Sequence, residues 1–398
     1  MKSIGISIKE KTDDKATHKS DNKIESDNKI QLHLNLWRSP AGRHQSKLPF
    51  NLDIGVMAKF TTAEIQIYLP FTLRKVNRWQ DLGHIMIENR QILCSLFNED
   101  YNIAQLGNSC YHKVSPAGSD SHPENSSNDS FYICTLREAD IKFIDFEDID
   151  TPGVIIHITV PSHKDIKPSD EFKFYIRFRV PIIGYEELTL QCNLSNNPIQ
   201  AAFTKLDLYN FQINEQRDIP YNAMGYLKVK NFRFPQFSKI HLLYIVDPRI
   251  NVENGSLTKC DSRIVDPTKW MAYIPDKRKS DAYLAYHWRI EPKIRLQSQN
   301  IKPESTQCRL SLKKYDLWKA NLFFSAKYPD KNWLTIAAYC SVAIILGCIG
   351  SIVASYICGS VSLSFKNVGG FIFFSLIVYF IVWYLSTHWN QLMNYFPN

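Results

Sequence analysis

Two long apolar segments near the C-terminus place the strongest constraint on how this chain can fold. Trp333–Cys358 and Val368–Trp389 contain no Asp, Glu, Lys or Arg, and Lys366 between them is the only such residue after Asn332. A helix rises about 1.5 Å per residue, so either segment can cover the roughly 30 Å hydrocarbon core of a bilayer. The pattern predicts a hairpin of two transmembrane helices, because lipid satisfies no backbone polar groups. The alternative is a pair of buried core helices.

The charges beside these segments predict an orientation. The preceding basic linker, residues 325–332, includes Lys327 and Lys331, whereas the short tail, residues 390–398, has no Lys or Arg. Positive flanks stay on the cytoplasmic side, and Trp333 and Trp389 would then lie at one membrane interface. These four residues are therefore the predicted interface anchors. The expected location is the inner (cytoplasmic) membrane, with the N-terminal region and the C-terminus in the cytosol.

The N-terminal region favours a reducing compartment. Residues 1–28 are polar, lack the apolar core of a signal peptide and read as a disordered tail. The nine cysteines form no CxxC pair, which is typical of a cytosolic chain. An exported domain is the alternative, since four Asn-x-Ser triplets fit the glycosylation sequon.

Residues 30–324 alternate between apolar and other side chains with a period of two, which predicts half-buried antiparallel strands. Phe172, Phe174, Ile176, Phe178 and Val180 share one strand face in the clearest case. The other predicted strands are Gln31–Trp37, Glu64–Pro70, Ile141–Asp145, Val154–Val160, Leu188–Asn193, Leu206–Ile213, Tyr226–Phe234, Ile240–Val246, Tyr283–Ile290 and Leu310–Leu317. One helix is predicted, at Trp79–Phe97.

The predicted fold class is therefore a mainly β region followed by a C-terminal two-helix transmembrane hairpin. The length of residues 30–324 fits one large β-sandwich-like domain or two consecutive domains with a cut near residues 196–198. Residues 107–130 are rich in Ser, Gly, Asn and Pro and read as a flexible insertion. Residues 333–358 and 368–389 are the two predicted spans.

Basic side chains on the predicted strands indicate binding of a polyanion or of lipid headgroups. One set shares the face opposite Phe174, and a second follows a later strand; the members are Lys173, Arg177, Arg179, Lys228, Lys230 and Arg233. Arg289, Lys293 and Arg295 follow Trp288 in the same manner. Basic groups interleaved with aromatic rings can hold nucleic acid or anionic headgroups. The alternative is a solvated sheet face, because the net charge is only +8.

No specific catalytic, cofactor or metal motif is present, and we predict a protein that is not an enzyme and has no cofactor or metal. Cys110 and His112 are close in sequence but have no further ligands nearby. The acidic run 145–150 is better explained as a turn than as a calcium loop. His157 on a strand has no nucleophile beside it, and a paired structural histidine is the simpler reading.

Small residues recur every four positions along the first apolar segment: Ala343, Gly347, Ser351, Ser355 and Gly359. This spacing lets helix backbones approach closely. It predicts packing either within one hairpin or between copies of the chain. Packing between copies would give self-association through the hairpin and could perturb the membrane.

A β-rich cytosolic domain followed by two apolar C-terminal segments resembles the two-transmembrane effectors of bacterial anti-phage defence systems. The resemblance covers the architecture and the segment Trp333–Trp389 only. It implies that a nucleotide signal, or a protein partner carrying nucleic acid, triggers membrane disruption at the lipid bilayer. A regulated effector of this kind is the predicted function. The alternatives are an anchored binding or scaffold module without pore activity and a membrane-tethered enzyme with an unrecognised site.

Overall fold

The computed structural model of the chain describes most of its β region and one long helix. The described residues are 3–11, 29–38, 50–73, 77–106, 109–117, 130–146, 153–162, 172–183, 189–192, 204–229, 231–254, 260–274, 282–292, 294–298, 310–314, 317–329 and 333–357. The chain divides into two compact units. The first comprises residues 1–191 and 207–327, and the second comprises residues 192–206 and 328–398.

A large sheet of eleven strands forms the centre of the first unit. Its main path runs β18-β19-β16-β2-β3-β12-β9-β8-β7, and β5 and β6 also pair with β12. The strands are β2 Lys29–Arg38, β3 Phe50–Lys59, β5 Thr72–Leu73, β6 Gln80–Asp81, β7 Tyr101–Gln105, β8 Tyr111–Pro116, β9 Phe131–Cys134, β12 Lys173–Ile183, β16 Gln236–Val246, β18 Cys260–Val265 and β19 Tyr283–Ile290. The β2–β16 and β9–β12 pairs are parallel.

The two faces of this sheet differ in what covers them. Apart from Arg38, the even-numbered residues of β2, β3 and β12, such as Leu34, Ile54 and Ile176, are buried apolar side chains. Further along the same face, Trp288 of β19 stacks on Phe324 of a second sheet, with ring centroids 4.7 Å apart. The odd-numbered face carries polar residues and is partly covered by short helices that share a hydrophobic cluster with it.

Three smaller sheets complete the β structure. One has the order β10-β11-β4-β1-β15, with β1 Gly5–Glu10, β4 Thr62–Leu69, β10 Ile141–Phe146, β11 Gly153–Thr159 and β15 Phe232–Arg233. The second has the order β13-β14-β22-β17, with β13 Thr189–Cys192, β14 Thr204–Ile213, β17 Asn251–Asn254 and β22 Ala320–Pro329. The last pairs β20 Ile294–Ser298 with β21 Leu310–Lys314.

The described helices are short apart from the last one. They are α1 Gly83–Glu88, α2 Arg90–Phe97, α3 Tyr221–Leu227, α4 Pro267–Trp270 and α5 Trp333–Ile357. Leu93 of α2 and Trp270 of α4 are buried in the cluster on the odd-numbered face of the large sheet. Leu227 of α3 instead packs with Tyr68 and Ile155 of the five-stranded sheet.

The mainly β prediction is confirmed, and most predicted strands are present. Tyr226–Phe234 is wrong as a strand, because α3 extends to Leu227 and only Phe232–Arg233 is extended. The single helix predicted at Trp79–Phe97 is two helices. They are separated at Asn89, whose backbone is extended rather than helical. The proposed cut near residues 196–198 lies outside the described residues.

Three predicted non-regular segments contain strands. β1 lies within the predicted disordered tail, residues 1–28, because its Ile6 and Ile8 are fully buried between β4 and β15. β8 lies within the predicted flexible insertion, residues 107–130, and pairs with β7 and β9. The predicted linker 325–332 begins inside β22, which continues to Pro329.

The predicted two-helix transmembrane hairpin is not supported. Across the described ranges, no helix has both the length and the apolar character needed to cross a bilayer. The second predicted span, residues 368–389, and the tail 390–398 lie outside the described residues. The hairpin in the fold class and the interpretation as a transmembrane protein are therefore corrected.

Candidate functional site

Strand register brings three histidines together on the odd-numbered face of the large sheet. His33 of β2 lies directly opposite His241 of β16 in the parallel pair. His287 of β19 lies two positions from Arg289, the residue paired with His241, and so on the same face of the sheet. The His33 and His241 ring centroids are 4.6 Å apart, and Nδ1 of His241 lies 2.9 Å from Nε2 of His287. The three rings therefore form a continuous row across three adjacent strands.

This histidine row lines a cavity of about 440 Å³. Alternate residues of neighbouring strands supply its floor, including Asn35 of β2 and Asp261 of β18, because residues two apart on a strand point to the same side. Phe97 at the end of α2 and Phe131 of β9, another strand of the large sheet, also line it. The volume lies within the range of small-molecule sites, about 300–1,000 Å³.

Four cationic side chains line the cavity: Lys173, Lys239, Arg263 and Arg289. The carboxylates in its lining belong to Glu99 and Asp261. Lys239 lies 3.7 Å from Glu291, whereas the described chain offers no hydrogen bond or ion pair to the side chains of Lys173, Arg263 or Arg289. The lining thus carries more positive than negative charge, and three of its cations have no protein counter-ion among the described residues.

The histidines themselves are held neutral. Burial, then neighbouring His287 and Arg289, lowers the pKa of His241 to about 3. Burial, followed by Arg263 and Arg289, lowers the pKa of His287 to about 4. The pKa of His33 is also well below its ordinary value because the ring is buried beside His241 and Arg177. At neutral pH the positive charge of the cavity therefore resides on its Lys and Arg side chains.

Buried polar atoms at the floor of the cavity have no partner in the described part of the chain. These atoms are Nε2 of His33 and both amide atoms of Asn35. His33 is 6% exposed and Asn35 is fully buried. An unpaired buried polar group costs about 1–3 kcal/mol, so such groups call for an explanation. Their position in the cavity wall is explained if a polar ligand satisfies them.

The predicted basic face of β12 is not a surface. Arg177 is fully buried and Arg179 is 4% exposed. Nε and Nη2 of Arg179 donate to the carboxylate of Asp53 over 2.6 and 3.0 Å, and the indole of Trp37 donates to the same carboxylate over 2.7 Å. Both arginines are therefore unavailable to a polyanion. Only Lys173 of this predicted set lies at the cavity.

The second predicted basic set is dispersed. Lys228 is exposed and donates to the side-chain oxygen of Gln216 over 3.1 Å. Arg233 pairs with Glu10 of β1. Lys230 lies outside the described residues, so these positions form no observed cluster.

The residues predicted for membrane packing and anchoring lie mostly on or near α5. Ala343, Gly347, Ser351 and Ser355 are on this helix, and Gly359 lies outside the described residues. A side chain added at Gly347 would meet no described atom within 4 Å. Trp333 begins α5, Lys327 pairs with Glu253 over 2.6 Å, and Lys331 and Trp389 lie outside the described residues. Self-association through this stripe stays a prediction.

The other candidates show no catalytic or metal-binding arrangement. His157 contacts Glu64 through Nε2 at 3.1 Å and Gln66 through Nδ1 at 3.3 Å, as expected for a paired structural histidine. No group of three potential metal ligands occurs among the described residues. The acidic run contributes Asp145 to β10, and its residues 147–150 are not described. The predictions of no cofactor, no metal and no enzymatic activity stay predictions.

The sequence did not reveal His33, His241 or Asn35 as site residues. Arg289 and Lys173 were singled out for their charge alone, and both lie at the cavity. A histidine alternating onto a polar strand face was a visible signal, but the pairing of β2 with β16 was not. The two strands are parallel neighbours from distant parts of the chain, which no local pattern encodes.

Comparisons with known proteins place the chain in no family. No protein-family model and no curated protein matches it. The structure is similar to the crystal structure of baculovirus P35, with a TM-score of 0.19 and 8% identity, covering 78% of this chain and 94% of that chain. A similarity this low carries no argument about fold or function.

Proposed function

We propose that the β unit is a binding module for a small phosphate-bearing ligand of about mononucleotide size, held in the histidine-lined cavity. The observation that carries the proposal is the set of cavity cations, Lys173, Arg263 and Arg289, for which the described residues provide no counter-ion. An unneutralised cluster of cations in a concave site is costly unless an anion occupies it. Arginine in particular matches the oxygens of a phosphate.

The remaining chemistry of the cavity supports a nucleotide-like ligand over a bare ion. Asn35 offers a donor and an acceptor, as base recognition requires, and Phe97 offers an aromatic surface. The volume of about 440 Å³ exceeds what a single phosphate group fills. Ligand sites commonly combine apolar walls with a few convergent polar groups.

This proposal keeps one part of the predicted regulated effector, the domain that senses a ligand. The role in anti-phage defence, the protein partner, the inner-membrane location and self-association stay predictions. A protein partner carrying nucleic acid is a weaker candidate for this site, because Arg177 and Arg179 do not contribute to an external basic face.

Isothermal titration of the full chain with AMP, pyrophosphate and adenosine tests the proposal. We expect AMP and pyrophosphate to bind and adenosine to bind at least about tenfold more weakly, since it lacks the charge that the cations require. The double variant Arg263→Gln, Arg289→Gln should weaken AMP binding by about tenfold or more.

A matched variant controls for net charge. Lys113→Gln with Lys142→Gln also removes two positive charges, but both side chains are exposed on β8 and β10 and neither lines the cavity. Affinity for AMP should change less than about threefold in this variant. Equal losses of AMP affinity in the two double variants would show a non-specific charge effect and contradict the proposal. The proposal would also be contradicted if neither AMP nor pyrophosphate bound to the full chain.

A further inference from the structure

The buried cluster behind the cavity has more positive than negative charge. The single carboxylate of Asp53 receives two hydrogen bonds from Arg179, whereas Nη2 of Arg177 lies 4.0 Å away and makes no hydrogen bond. The fully buried Arg177 guanidinium is instead bonded to two phenol oxygens. It donates through Nη1 to Tyr175 over 2.6 Å and through Nε to Tyr273.

These contacts favour one direction for the hydrogen bond between Tyr175 and His33. A guanidinium has only donors, so the Tyr175 oxygen must be the acceptor in its contact with Arg177. Burial raises the pKa of Tyr175, so the phenol keeps its proton. Among the described residues, Nδ1 of His33, which lies 3.3 Å from the phenol oxygen, is the acceptor that this proton can reach.

The tautomer of His33 follows from this direction. Its ring is neutral at neutral pH, and a neutral imidazole has one N–H. If Nδ1 accepts from Tyr175, the hydrogen must be on Nε2. Nε2 is buried in the cavity wall without a partner among the described residues. The neutral His33 ring therefore presents its Nε2–H to the cavity as a hydrogen-bond donor.

Gly55 allows this arrangement to exist. It lies between His33 of β2 and Arg177 of β12, each of which it faces in register. A Cβ at this position would lie 2.1 Å from the Tyr175 hydroxyl oxygen and 2.9 Å from Nη1 of Arg177. Absence of a side chain thus leaves the space that Tyr175 needs to reach both partners.

We propose that His33 is a specificity-determining residue of the cavity, which donates from Nε2 to an acceptor oxygen of the ligand, and that Arg177 acts through Tyr175 as a positioning residue that fixes this tautomer. The inference rests on the proposed function and narrows it. The ligand must place a phosphoryl or carbonyl oxygen against His33, and a ligand that offers only a donor there is rejected.

The first test measures the tautomer in the free protein, without any ligand. In a long-range ¹H–¹⁵N correlation spectrum of histidine-labelled full chain, His33 should show a protonated Nε2 and an unprotonated Nδ1 at neutral pH. Assignment uses the His33→Gln variant, in which the signals of that ring disappear. A His33 ring that is charged, protonated at Nδ1 or mixed would overturn the inference, whatever the binding result.

Two matched tyrosine variants test the relay, meaning the chain of hydrogen bonds from Arg177 through Tyr175 to His33. Tyr175→Phe and Tyr273→Phe each remove one buried phenol that accepts from Arg177, but only Tyr175 contacts His33. We expect Tyr175→Phe to give mixed tautomers of His33 and Tyr273→Phe to leave the single tautomer intact. The same change in both variants would contradict the relay.

Binding of AMP distinguishes this inference from the proposed function. We expect His33→Leu to weaken binding by about tenfold, and His33→Gln, which retains a donor close to Nε2, to stay within about threefold of wild type. If His33→Leu binds as tightly as wild type, His33 does not determine specificity, although the cavity remains the binding site. If wild type fails to bind any phosphate compound while the tautomer is as stated, the proposed function fails and the relay stands.

Discussion

The odd-numbered face of the large sheet carries cations in two regions, which we call the closed end and the cavity end, and the two regions neutralise their cations differently. At the closed end, formed by β3 and β12, Arg179 pairs with Asp53 beneath Trp37 and Tyr273. At the cavity end, formed by β16, β18 and β19, Arg263 and Arg289 have no described counter-ion and surround an open volume. At the closed end, the Asp53 carboxylate stabilises the fold. At the cavity end, the cations are available to an external anion.

Removal of the carboxylate at the closed end should have the largest effect. Asp53→Asn leaves two buried guanidinium groups without a negative charge, and we expect a loss of about 3–5 kcal/mol in the free energy of unfolding. Urea denaturation measures the loss. Asp261→Asn at the cavity end is the matched comparison. Asp261 is exposed, so a loss below about 1 kcal/mol is expected, together with tighter AMP binding. Equal destabilisation in the two variants would show that the two ends do not differ.

A methyl group between the two ends should have the next largest effect. Gly55→Ala places a Cβ against Tyr175, so the ring must move, and we expect a loss of about 2–3 kcal/mol in urea denaturation. The control is Gly225→Ala in α3, where an added Cβ meets no described atom within 4 Å. There, helix propensity predicts a gain of up to about 1 kcal/mol. A neutral Gly55→Ala would mean that Tyr175 has room to relax.

The pH dependence of stability should report the buried histidines with a smaller effect. His241 and His287 have pKa values of about 3 and 4 in the folded protein, compared with about 6.5 when unfolded. Their contribution is fully present above pH 6.5. It is lost as the pH falls toward these folded values, because the unfolded chain binds protons first. We expect a decrease of about 3 kcal/mol between pH 7.5 and 5.5 from the pair.

A variant isolates that contribution from the rest of the titration. His241→Gln with His287→Gln should reduce the slope of the unfolding free energy against pH in this range, measured by urea denaturation at several pH values. Bound AMP should reduce it as well, because the phosphate favours protonated histidine and so raises the pKa of both rings. A slope unchanged by the double substitution would contradict the assignment of neutral, buried imidazoles.

The sequence predicted the strands of the large sheet better than it predicted what covers them. Period-two alternation located β2, β12, β16 and β19, and it is clearest in β2 and β12, whose even-numbered residues are almost all apolar and buried. The polar set on β12 was interpreted as solvated or ligand-facing, yet Arg177 is fully buried, since α4 and Tyr273 lie over that face. Burial of Arg177 depends on partners far away in sequence, here the phenol of Tyr273 and the nearby carboxylate of Asp53, which its local sequence pattern does not reveal.

The site was less accessible to prediction than the fold. Its charge was visible in Arg289 and Lys173, but its shape depends on which strands are adjacent. The prediction of a disordered tail missed β1. The alternation of Ile6 and Ile8 is short, and the polar residues that follow it in the chain dominate the pattern. Similarly, α3 interrupts a run that alternates as a strand would, because Ala223 and Leu227 can face the sheet four residues apart.

The parallel pairing of β2 with β16 has a consequence for synthesis of the chain. His33 leaves the ribosome long before His241 and Arg289, and at about 5–20 residues per second the interval is on the order of tens of seconds. During that time β2 can pair with β3, but the wall containing His241 does not yet exist. The cavity is therefore a late product of folding. A chain truncated before β16 would contain His33, Tyr175 and Arg177 but only one of the four cavity cations, so ligand binding would distinguish finished copies from incomplete ones.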